Sequence, residues 1–163
     1  RVTDGSKDIL ICADSGKIIR FAESDARSMG RVSQGVKGIS ITDEEKAIGM
    51  AIIDDNSEIL SVTDKGYGKR SIASEYRKQS RGGKGIIDMK LNDKTGTIAQ
   101  IKPGEESDDL MIITNNGKVI RTKIAGISLL GRNTQGVRLI NLKDGENVVA
   151  VEKIIDTDED DKE

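Results

Sequence analysis

Gly30-Arg31-Val32-Ser33-Gln34-Gly35-Val36-Lys37-Gly38-Ile39 decides how this chain is read, because its pattern returns twice in nearly the same register. The second copy is Ser80-Arg81-Gly82-Gly83-Lys84-Gly85-Ile86-Ile87-Asp88-Met89, and the third is Gly131-Arg132-Asn133-Thr134-Gln135-Gly136-Val137-Arg138-Leu139-Ile140. Arg31, Arg81 and Arg132 stand 50 and then 51 residues apart, as do Gly35, Gly85 and Gly136. A period of that length in a chain of 163 residues implies several small units that stack to hide their apolar faces, not one large core.

Upstream of each Arg-Gly loop the residues read as a hairpin. Asp8 to Ala13 and Ile18 to Phe21 flank Asp14-Ser15-Gly16-Lys17; Glu58 to Thr63 and Tyr67 to Ile72 flank Asp64-Lys65-Gly66; Asp109 to Thr114 and Lys118 to Thr122 flank Asn115-Asn116-Gly117. Two apolar runs joined by a few polar residues, with glycine where φ > 0 is needed, make a hairpin. Downstream, Val36-Lys37-Gly38-Ile39-Ser40-Ile41 alternates with period two and reads as a third strand wet on one face. Ala47 to Ile53, Thr97 to Ile101 and Asn147 to Lys153 supply a fourth. The expected fold is all-β, a propeller-like array of about three four-stranded blades spanning residues 8–53, 58–101 and 109–153, followed by an acidic disordered tail at 156–163. Helical periodicity is nowhere sustained, and the single proline, Pro103, is placed in the connector between the second and third blades. Trp-Asp and Gly-His pairs are lacking and each unit exceeds the roughly 40–45 residues of a WD-type repeat, which disfavours that propeller. The first residue is Arg1 and not Met, and Arg1-Val2 falls in register with Ala51-Ile52, so the chain is expected to be the C-terminal portion of a longer polypeptide. Unpaired sheet edges leave dimerisation or strand swapping open.

The formal net charge of −2 argues at first against a nucleic-acid partner. Its distribution reverses that impression: six acids and one lysine fall in residues 156–163, leaving 25 basic and 22 acidic residues in the folded part. Aromatic residues make up 2%, with no Trp and no His, so the core must be aliphatic and stacking platforms for unpaired bases are nearly excluded. A lone Cys12 rules out an internal disulfide, and neither a membrane-spanning run nor a signal peptide is present, so the expected location is cytoplasmic.

Arg20, Arg70 and Arg121 each follow the turn glycine by four residues and form a second basic column beside Arg31, Arg81 and Arg132. Any one of these arginines could simply solvate a loop or pair with nearby acids. Three copies in register point further, because stacked blades bring equivalent positions to equivalent points on a rim. The candidate DNA-binding residues are therefore Arg20, Arg31, Lys37, Lys69, Arg70, Arg81, Lys84, Arg121, Arg132 and Arg138, with Lys17 and Lys118 adding to the stripe. A positive, curved, nearly aromatic-free edge suits the phosphate backbone of bent duplex DNA, with little base readout.

These residues also carry a resemblance. Gly66-Tyr67-Gly68-Lys69-Arg70, Ser74-Glu75-Tyr76-Arg77, Arg81-Gly82-Gly83-Lys84-Gly85 and the whole third loop resemble the C-terminal domain of DNA gyrase A, over essentially the full chain. The resemblance implies the last three blades of a β-pinwheel that wraps DNA, within an ATP-hydrolysing, Mg²⁺-dependent type II topoisomerase completed by the rest of gyrase A and by gyrase B. It further implies a fragment with no catalytic residues and no cofactor of its own. Gln79-Ser80-Arg81-Gly82-Gly83-Lys84-Gly85 matches six of seven positions of the family's wrapping motif, with Ser80 in place of a basic residue. That places the functional motif upstream. Two alternatives stay open: the equivalent domain of topoisomerase IV, and a propeller that binds acidic proteins.

Other candidate sites are weaker. Tyr67 and Tyr76 have no acidic Mg²⁺ cluster beside them, so packing or rim roles are expected rather than DNA cleavage. Cys12, in an apolar strand of a histidine-free chain, reads as a small buried hydrophobe. Gly82-Gly83-Lys84 lacks P-loop spacing, and the calcium-loop-like start at Asp156 has Asp161 where glycine is required, so no metal is expected. The tail's charge suggests a tethered competitor for DNA, and deleting 156–163 should then raise DNA affinity at low salt.

Overall fold

A computed structural model describes residues 2–154; the acidic run 156–163 and the role expected of it lie outside the described residues. The strands are β1 (Asp8–Ala13), β2 (Lys17–Ala22), β3 (Ala47–Ile53), β4 (Glu58–Thr63), β5 (Tyr67–Ile72), β6 (Ile86–Ile87), β7 (Ile98–Gly104), β8 (Asp109–Thr114), β9 (Val119–Lys123), β10 (Val137–Arg138) and β11 (Val148–Ile154). The only helical elements among the described residues are single 3-10 turns at Glu23–Asp25, Ala73–Glu75 and Ile124–Gly126, each directly after a hairpin. The all-β fold is as expected.

Each hairpin is local in origin. Three turn residues separate β1 from β2, and Gly16 takes φ +79° while its amide donates to the Ala13 carbonyl at 3.0 Å. Gly66 and Gly117 repeat this geometry at φ +79° and +78°. Glycine makes that left-handed step without the Cβ strain any other residue would meet.

The sheets, however, are assembled differently from the expected four strands per unit. The strand orders are β3-β1-β2-β6, β10-β5-β4-β7 and β11-β8-β9. The short strand after the second and third Arg-Gly loops therefore pairs with the hairpin of the preceding unit: Lys17 opposes Ile87 and Ile18 opposes Ile86, and Tyr67 opposes Arg138 while Gly68 opposes Val137. The third sheet has three strands, and β9 is left as an open edge with Val119 55% exposed. Val36 to Ile41 forms no strand, which corrects the period-two reading. Ile39 and Ile41 instead pack with Ala13, Ile19 and Phe21 on the outer face of the first sheet.

Two larger apolar cores lie between consecutive sheets, the first including Tyr67 and Tyr76 among its aliphatic side chains. One joins Leu10, Ile18 and Ile53 to Ile59, Met89 and Ile101; the other joins Leu60 and Val62 to Leu110, Ile112, Ile140 and Val151. β3 packs on β7, and β7 on β11. Pro103 is not in a connector: it lies within β7 opposite Ile59, on an edge strand that tolerates a residue without an amide donor.

Candidate nucleic-acid interface

Strand exchange brings the three Arg-Gly loops side by side. The Gly82 amide donates to the Gly38 carbonyl at 2.6 Å, and the Ser40 amide to the Gly83 carbonyl at 2.8 Å. On the other side the Asn133 amide donates to the Asp88 carbonyl at 2.6 Å, and the Lys90 amide to the Thr134 carbonyl at 2.9 Å. Backbone contacts of this kind fix neighbouring loops without consuming their side chains. Arg31, Lys37, Lys84, Arg132 and Arg138 are exposed, and Arg81 is half-buried. Arg81 donates to the carbonyls of Asp25 at 2.9 Å and Lys37 at 3.1 Å, and Arg132 to that of Ile87 at 3.3 Å. Both lean across the seam between loops while keeping their charge unpaired by any carboxylate among the described residues.

The second basic column is a correction. Arg20 is 3% exposed and Arg70 5% exposed, too little to meet a phosphate. Arg20 is held by Asp8 and Asp55, each at 2.5 Å, and donates to the carbonyls of Ala73 at 2.9 Å and Tyr76 at 3.4 Å in the next unit. Arg70 repeats the arrangement with Glu58 at 2.7 Å, Glu106 at 3.0 Å and the Ile127 carbonyl at 2.8 Å. Each guanidinium thus pins the 3-10 crossing of the following unit onto its own hairpin. Arg121 has the same acid, Asp109, twelve residues before it, but among the described residues nothing covers it as the next unit covers Arg20 and Arg70, and its side chain is 58% exposed. The Arg121 hydrogen bond is the largest cause lowering the Asp109 carboxyl below its usual range. Column equivalence in sequence therefore does not mean equivalence in exposure.

Lys69 is also interior, at 0% exposed. Its Nζ reaches Asp88 Oδ1 at 3.2 Å and donates to the carbonyls of Asp88 at 2.7 Å and Gly131 at 3.1 Å. Ser61 and Tyr76 donate to the same carboxylate at 2.7 and 2.6 Å. Burial, with Asp88 beside it, pushes the Tyr76 hydroxyl far above its ordinary ionisation range. Burial does the same to the Cys12 thiol, which sits in the core as a hydrophobe.

Sequence reasoning missed Arg27 and Arg77, both exposed on the crossings before the first and second loops. Their 50-residue spacing was the available signal. It also missed the cluster around Tyr67, whose hydroxyl accepts from Arg138 at 2.7 Å and whose ring has Arg138 and Lys94 at 5.3 and 5.6 Å. Lys17 is paired with Glu45 at 2.7 Å, and Lys118 donates to the Asn141 carbonyl at 3.2 Å. Among the described residues no group of three or more acidic or Cys side chains is placed to hold a metal, and no helix is long and apolar enough to cross a membrane.

Comparison with known proteins accords with this architecture. The family model described as the DNA gyrase C-terminal domain, beta-propeller, matches residues 7–54, 57–103 and 108–155. The DNA gyrase A protein of Haemophilus influenzae is 40% identical over 98% of this chain and 21% of its own length, and that of Staphylococcus epidermidis is 44% identical over 98% and 18%. The chain thus spans about a fifth of these relatives. Among solved structures, a C-terminal domain of DNA topoisomerase IV superposes with a TM-score of 0.88 at 21% identity, covering 95% of this chain and 49% of that one. A DNA gyrase A C-terminal domain superposes with a TM-score of 0.86 at 24% identity, covering 94% and 52%. From three matched repeats and relatives aligned across nearly its whole length, the chain belongs to the family of DNA gyrase A C-terminal domains.

Proposed function

We propose that this chain binds and bends duplex DNA without reading its sequence, as a wrapping segment of DNA gyrase A. The observation that carries the reading is the row of hydrogen-bonded Arg-Gly loops with Arg31, Lys37, Arg81, Lys84, Arg132 and Arg138 along it. A phosphate backbone laid across that row meets cations at successive loops, and loop glycines let it approach backbone amides. Such contacts hold a duplex by charge and deformability. Within the whole enzyme, wrapping would present a neighbouring DNA segment for passage in one handedness and so support negative supercoiling. Strand cleavage, ATP hydrolysis and Mg²⁺ binding would belong to the rest of gyrase A and to gyrase B. The topoisomerase IV likeness is one of fold, whereas the 40% identical relative is a gyrase.

Duplex affinity measured across a salt series tests the reading. About six phosphate contacts give a log-log slope near −5. A flat response would favour a protein-binding propeller. Arg31→Gln and Lys84→Gln should each reduce the slope by about 1 without moving the melting temperature, because both side chains are exposed and contribute no packing.

A further inference from the structure

Where the second sheet meets the loop following β10, a cavity of about 220 Å³ is lined by Lys65, Tyr67, Lys94, Arg138 and Lys143, together with Asp144 and Glu146. Glu146 is buried and already committed, accepting from the Thr114 hydroxyl at 2.8 Å and the Lys143 amide at 3.0 Å. None of Lys65, Lys94, Arg138 and Lys143 has a carboxylate within ion-pair distance among the described residues. Against the two carboxylates of Asp144 and Glu146 these four cations leave one small concavity with an excess of positive charge, which an anion seated among them would offset.

The repeat shows that the cluster is no by-product of the fold. At the junction one unit earlier, the equivalent positions are Ser15 for Lys65, Lys17 for Tyr67, Glu44 for Lys94, Ile87 for Arg138 and Asn92 for Lys143. The same backbone there carries an acid and neutral residues where this junction carries cations. Tyr67 adds a directional group: the residue is buried at 8% exposed, its ring part of the first core, yet it lines the pocket, and its oxygen accepts from Arg138 at 2.7 Å, which leaves its own O–H able to donate.

We propose that this pocket seats one phosphodiester of bound duplex DNA, with Arg138, Lys94, Lys65 and Lys143 supplying charge and the Tyr67 hydroxyl donating to a phosphate oxygen. The assignment rests on the DNA-binding reading and adds to it a single anchored phosphate at one junction. Repeats alone would give a uniform stripe.

Tyr67 makes the test spectroscopic. The chain has two tyrosines and no Trp, and the buried Tyr76 stays protonated, so the first tyrosinate absorbance to appear on raising the pH belongs to Tyr67. The Arg138 hydrogen bond places that transition below the ordinary tyrosine value. With a short duplex bound, as checked by fluorescence anisotropy at each pH, the transition should move up by about one unit, because the phosphate offsets the cations that favour the phenolate. An unmoved transition with DNA still bound overturns the pocket and leaves the wider reading intact; absence of duplex binding at any salt overturns both. A shift with inorganic pyrophosphate and none with bound duplex identifies a small-anion site and also overturns the assignment. Independently, the double variant Lys94→Gln/Lys143→Gln at neutral pH should reduce the salt slope by about 1 with an unchanged melting temperature, as one lost phosphate requires. An unchanged slope rejects the seat.

Discussion

Asp88→Ala is expected to destabilise the protein by about 3–5 kcal/mol, the cost of leaving the buried Lys69 ammonium without its counter-ion. For a domain of this size that corresponds to a fall in melting temperature of roughly 10 °C, measurable by thermal or urea denaturation. The substitution also removes the acceptor of the Tyr76 hydroxyl at 2.6 Å and of Ser61 at 2.7 Å, while Lys69 keeps only carbonyl oxygens. The repeat supplies the compensating variant. Ser61, Lys69, Tyr76 and Asp88 correspond in the third unit to Ile112, Ile120, Ile127 and Leu139, all apolar and all in one core. Replacing all four together with those residues should therefore recover most of the loss, because an apolar core of similar shape needs no desolvated charge. A quadruple variant as unstable as Asp88→Ala would show that the ion pair has no apolar substitute at this junction.

Gly85→Ala should be the second severe change, and Gly35→Ala its mild counterpart. A Cβ on Gly85 would sit 2.5 Å from the Ile18 carbonyl oxygen, at φ +72°, so β6 would have to withdraw from β2. The left-handed backbone costs about 1–2 kcal/mol for alanine, and the overpacking adds about 1–3 kcal/mol. Gly35 has φ +79° but open space around it, so only the first cost applies. Gly136 faces the Gly68 carbonyl at 2.6 Å and should behave as Gly85 does. Denaturation of the three variants gives the ranking, and hydrogen exchange at β2 and β6 should show the local opening in Gly85→Ala. Equal stabilities for Gly35→Ala and Gly85→Ala would contradict the close approach.

The hairpins were legible because everything that makes them is local: a turn glycine, a run of β-formers on either side and a polar turn. The exchange of β6 and β10 was not, since a pair of residues such as Ile86-Ile87 has the same periodicity whichever hairpin it joins. Only the position of the following strand fixes the partner. Arg20 carried a readable sign of burial, standing in Ile18-Ile19-Arg20-Phe21, a run apolar on both faces as an internal strand is. Its acid, Asp8, stands twelve residues earlier, as Glu58 does for Arg70 and Asp109 for Arg121. Lys69 had no such sign, because Tyr67-Gly68-Lys69-Arg70-Ser71 reads as a wet strand. Its burial comes from Asp88, a residue of the next loop. Arg31, Lys37, Lys84 and Arg132 are exposed for a plainer reason: they lie in glycine-rich, mostly polar loops with no apolar run to follow inward.

Because β10 completes the sheet begun by β4 and β5, the seams of sequence repetition and of tertiary structure are out of phase by about half a unit. Severing the polypeptide between residues 104 and 108, where one repeat gives way to the next, would strip β5 of its neighbour, Arg70 of the Ile127 carbonyl and Lys69 of the Gly131 carbonyl. Excision near residue 142 keeps those partners. Shortened or grafted versions of this array are better cut through a repeat than between repeats.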